Sequence, residues 1–186
     1  MTDSLHSHGK AMEDKFFNDL DHQLVEKMKA EMAAKETREA LAGASGISED
    51  SVLDALIAVG ISPESLTSVS LIPLVAVAWA DNKMEDSEIA AILQAADVAG
   101  IKIGTPSYET VQAWLGKKPG PELTESWKSY IGALKGTLDE TALGQLKASI
   151  IGRTEEVAEA AGGFLGLGNK ISAVEQKVID DLAASF

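Results

Sequence analysis

The chain has 186 residues, 29 of them acidic and 16 basic, for a formal net charge of −13, and it contains no cysteine. That charge argues against a nucleic-acid grip, which needs clustered Lys and Arg to neutralise phosphates. The only basic doublet is Lys117–Lys118, and the only arginines are Arg38 and Arg153. Without cysteine there are no disulfides, no thiolate chemistry and no Cys-ligated metal centre, which fits a cytoplasmic location. Hydrophobic residues make up 45% of the chain but aromatic residues only 5%. A palette built on Ala and Leu favours helix, and period-two strand runs are scarce. The expected fold class is all-α. The opening residues lack the apolar core of a signal peptide. The longest apolar run, Leu71–Ala80, falls well short of the ~20 residues of a membrane span, so no membrane insertion is expected.

In chain order, Met12, Phe16, Phe17, Leu20, Leu24, Met28 and Met32 recur about every fourth residue from Lys10 to Leu41. This predicts a long amphipathic helix ended by Gly43–Gly46. It either folds back on its own domain or serves as an arm for self-association or a protein partner. Ser48 can cap a helix that Gly60 stops. Ser62–Pro63–Glu64 sets a cap, a first-turn proline and an acid in the favoured order. Pro73 divides that helix from the next near Ser70. Leu71–Ala80 is apolar on every side and predicts a central buried helix. Another helix runs from Asp86 to Ala99. The next is capped near Ser107 and ends at Gly116. Pro121 opens a helix whose apolar face is Trp127, Tyr130, Ile131 and Leu134. A longer helix spans Asp139 or Glu140 to Gly162–Gly163, and the last begins after Ser172. The expected domains are 1–42, an N-terminal helical arm, and 47–186, a compact helical bundle.

Two stretches of the bundle echo each other. Asn82, Lys83, Met84, Glu88 and Ile92 match Asn169, Lys170, Ile171, Glu175 and Ile179, and each copy leads from an apolar stretch into an amphipathic helix. The pattern reads as a duplicated loop–helix unit. Val75–Ile101, "VAVAWADNKMEDSEIAAILQAADVAGI", resembles the signature of the TerB-like tellurite-resistance family: an apolar helix, a loop of type Asp-Gly-x-apolar-acid-x-x-Glu, then a second helix. Asp81, Met84, Glu85 and Glu88 fit it. Asn82 stands where glycine is usual, and Asn also tolerates positive φ. The second copy departs further, with Gly168 for Asp81 and Ser172 for Glu85. The resemblance implies an all-helical, non-catalytic module associated with stress response, whose acidic loop residues bind metal.

Asp81, Glu85, Asp86 and Glu88 offer oxygen ligands suited to Ca²⁺ or Mg²⁺. The EF-hand pattern is not met: from Asp81, position three is Lys83, position six is Asp86 and position twelve is Ile92. Capping is the competing reading. Ser172–Ala173–Val174–Glu175 has the form of a capping box, and the repeat places Glu88 at the same N3 position. Asp86 and Ser87 also suit a first turn. Asp81 is the acid that capping explains least.

The histidines are His6, His8 and His22, so 47–186 has none for acid–base work, and no nucleophile motif is present. His6 and His8 could bind a transition metal. Gly162–Asn169, "GGFLGLGN", matches no phosphate loop and is expected to turn with Phe164, Leu165 and Leu167 in the core. Lys10–Asp19 is similar to a stretch of the zeta-type inhibitors of the bacterial ATP synthase. That similarity implies a regulator or inhibitor of a larger complex acting through the N-terminal helix. The leading expectation is a non-catalytic binding module that takes a protein partner and a divalent cation. A carboxylate- or metal-dependent enzyme is the alternative of a different class.

Overall fold

Ile72–Ala78 carries no polar side chain, so a helix there has no solvent face and must lie among other helices. The computed structural model, which describes residues 26–162 and 171–186, places it so. This helix, α3, packs against the segment before it and against α4 (Asp86–Val98), α6 (Pro121–Lys135), α7 (Glu140–Gly162) and α8 (Ala173–Ala183). Ile72, Leu74, Val75 and Val77 are at most 1% exposed. Burying such side chains stabilises by about 1.5–3 kcal/mol each. The remaining helices are α1 (residues 26–45), α2 (Asp50–Ala58) and α5 (Pro106–Gly116). All regular structure among the described residues is helical.

The chain divides between Glu39 and Ala40 into two units. In the first, the described part is helical, and Met28 and Met32 are 54% and 63% exposed. The second holds the core, with Leu41, Leu56, Trp127, Ile131, Ile179 and Leu182 essentially buried. The division falls a few residues before the expected boundary at 42. Leu41, the last residue of the expected N-terminal helix, is a core residue of the second unit.

The expected helix after Ser62 is a 3₁₀ helix, Pro63–Leu71, rather than an α-helix. Runs this long are uncommon because the i→i+3 geometry is poor, and the sequence shows what supports this one. Residues three apart stack in a 3₁₀ helix. Ser65 and Ser68 form a buried column, Leu66 and Val69 an apolar one, while Glu64 and Thr67 face solvent. The Ser68 hydroxyl donates to the Ser65 carbonyl at 2.6 Å, and Ser70 donates to Thr67 at 2.9 Å. Pro73 sits in the first turn of α3, where its missing N–H loses nothing.

Two caps differ from expectation. α2 begins after Glu49, not Ser48. α5 is capped by Thr105, whose hydroxyl accepts the Tyr108 N–H at 3.3 Å. Ser107 is instead buried and donates to the Glu64 carbonyl at 3.1 Å, tying α5 to the 3₁₀ helix. Among the described residues no single helix is long and apolar enough to cross a membrane. The histidines, the stripe from Met12 to Leu24, residues 10–19 and most of Gly162–Lys170 lie outside the described residues.

Candidate functional site

α3 ends at Ala78, with Trp79 as its C-cap and the apolar run continuing to Ala80. The indole is half-buried and its Nε1–H donates to the Trp114 carbonyl at 2.9 Å, fixing the end of α3 against α5. Asp81 then shapes the turn, its Oδ1 accepting the Lys83 N–H at 2.8 Å. Such a side-chain-to-backbone bond two residues on is an Asx turn. Asn82 follows at φ 67°, the only non-glycine residue at positive φ among those described. This is the left-handed region that Asn enters more readily than other non-glycine side chains.

Lys118, from the link between α5 and α6, braces the turn. Its Nζ donates to the Trp79 carbonyl at 2.8 Å and to Asn82 Oδ1 at 2.6 Å. Sequence reasoning missed this residue. The available signal was that it belongs to the only basic doublet, next to the rigid Pro119–Gly120–Pro121.

Glu85 is the N-cap of α4, and its N–H donates to Glu88 Oε2 at 2.8 Å. Glu88 is only 3% exposed. Its carboxyl is pushed up to about 7 by burial first, against the Glu85 N–H bond that lowers it, with the charges of Glu175, Glu85 and Asp81 adding to the rise. The second copy repeats the device. The Ser172 N–H donates to Glu175 Oε2 at 2.6 Å, and the Ser172 hydroxyl accepts the Glu175 N–H at 3.2 Å. Glu175 is 8% exposed. The expected helix-start role of Glu88 and Glu175 is therefore present in both copies.

The four acids proposed as ligands thus have different situations. Asp81 is exposed and turned into its own loop; Glu85 and Asp86 are exposed at the start of α4; Glu88 is buried beneath them. No group of three or more His, Cys, Asp or Glu among the described residues is placed to hold a metal ion. Beside the loop lies a groove of about 330 Å³ whose walls include Val75, Trp79, Lys118, Pro119 and Asp181.

No family model, curated protein or solved structure matches the chain.

Proposed function

We propose that the chain is a non-catalytic, TerB-like binding module whose working surface is the loop Asp81–Glu88 with the groove beside it. The observation that carries this reading is Asn82 at φ 67° in a braced loop, at the position where the TerB-like signature has glycine. The internal duplication supports it too, since both copies start their second helix with a buried glutamate. The ligand we favour is a protein with a basic face. Asp81 and Glu85 present exposed carboxylates, and the net charge of −13 attracts cations at long range. Because the loop uses Asp81 and Glu88 internally, a divalent cation is the weaker ligand. Calorimetric titration with Ca²⁺ and Mg²⁺ against wild type and Asp81→Ala tests it. Heat that depends on Asp81 would reinstate the metal reading.

A second reading, of a regulator acting through the N-terminal helix, is favoured by Met28 and Met32, whose apolar side chains stand in solvent four residues apart on α1. Substituting both by Glu would abolish capture of a partner held that way, and would leave a partner held at the loop untouched.

A further inference from the structure

α4 and α7 pack along each other, and a groove of about 340 Å³ runs between them. It uses the C-terminal half of α4, the end away from the loop at Asp81–Glu88, so it is a separate surface from the one above. Its walls are small and apolar: Ala91, Ala95 and Val98 from α4, Val157 and Ala160 from α7. Arg153, Gln94 and Glu156 are the polar groups on it.

Arg153 is the feature that needs an explanation. It is half-buried, and it makes neither a hydrogen bond nor an ion pair with any described residue. This is one of only two arginines in a chain with 29 acidic residues, and Glu155, Glu156 and Glu159 lie within two turns of it on the same helix. A guanidinium carries five N–H donors in a fixed fork, and those of Arg153 meet no acceptor among the described residues while staying open to the groove's solvent. The group that satisfies such a fork best is a carboxylate, held by two parallel bonds. Alanine methyls on both walls leave room for an apolar chain, and the groove has the size of a small-molecule site. A second negative charge on the ligand would face Glu156.

We propose that the α4–α7 groove binds a small amphipathic monocarboxylate. Its head pairs with Arg153, with Gln94 beside it, and its apolar tail lies along Ala91, Ala95, Val157 and Ala160.

The test is titration of the full chain with octanoate, followed by calorimetry and amide NMR, with octanol and octanedioate as controls. The expected result is saturable binding whose amide shifts are confined to Ala91–Val98 and Arg153–Ala160. Octanol and octanedioate bind less tightly. Arg153→Gln weakens octanoate by about tenfold or more, as loss of a charged hydrogen-bond pair requires, and Ala95→Leu blocks the tail while circular dichroism shows the helices intact. Arg153→Lys, which keeps the charge and loses the fork, falls between wild type and Arg153→Gln. The proposal is overturned by any of three results: no saturable octanoate binding, binding unchanged in Arg153→Gln, or octanol binding as tightly as octanoate.

Discussion

Glu88 and Glu175 sit at the third position of two different helices, and each accepts the N–H of its own N-cap residue, at 2.8 and 2.6 Å. Both are buried, and the charge of Glu175 raises the carboxyl of Glu88. The duplication seen in the sequence therefore also brings the charge of one copy's glutamate to bear on the carboxyl of the other, Glu88.

That coupling predicts an unusual pH dependence. The Glu88 carboxyl is raised from its ordinary 4.5 to about 7, mainly by burial. The folded chain then holds a proton that the unfolded chain gives up, so this group's contribution to stability is full below pH 4.5 and is lost as pH rises through 7. This runs opposite to a salt-bridged carboxylate. Glu88→Gln keeps an acceptor for the Glu85 N–H and removes the charge. It should be more stable than wild type by about 1–3 kcal/mol at pH 8, with the difference vanishing near pH 4. Urea unfolding at the two pH values measures it.

The Asn82 turn makes a local prediction. Asn82→Ala places an unsuited side chain at φ 67° and removes the acceptor for Lys118, and should cost about 1–3 kcal/mol. Asn82→Gly removes the acceptor but has no strain, so it should cost less than Asn82→Ala. Thermal melts of both variants order them. Equal costs in the two variants would mean that the Lys118 contact, which both lose, and not backbone conformation, selects Asn.

Ser172→Ala removes the hydroxyl that accepts the Glu175 N–H, and should destabilise by about 1 kcal/mol, the usual worth of an N-cap. Hydrogen exchange should speed up at Glu175 before it does at the C-terminal end of α8.

Leu41 tests where the core begins. It is fully buried in the second unit although it lies only two residues past the division at Glu39. Leu41→Ala should cost about 2–5 kcal/mol, whereas Met32→Ala should change stability by less than about 0.5 kcal/mol. Denaturant midpoints of the two variants give the comparison.

The helices were legible where their signals are local. Leu71–Ala80 had no polar face and is buried except at Ala76, Trp79 and Ala80, which are partly buried; Ser172 and Glu175 had the spacing of a capping box and form one; Pro121 and Gly116 bound helices as expected. The features that depend on distant partners were not. Ser107 had the chemistry of a cap, but its hydroxyl is taken by the Glu64 carbonyl, and Thr105 caps in its place. The 3₁₀ geometry of Pro63–Leu71 was written in the three-residue spacing of Ser62, Ser65 and Ser68, which reads as helix of either kind until the packing is known. At the site, repeat alignment identified Glu88 and Glu175 as equivalent. The influence of Glu175 on Glu88 and the brace from Lys118 arise only when segments far apart in the chain meet.

Competitive capture from an extract of the source cells tests the central proposal, that the Asp81–Glu88 loop is the binding surface. Wild type would be compared with an Asp81→Ala/Glu85→Ala variant matched for helix content and melting temperature, with the bound proteins quantified by mass spectrometry. The expected result is a basic protein that wild type retains, that the variant loses, and that purified wild-type chain competes away. Identical capture by the two proteins would contradict it.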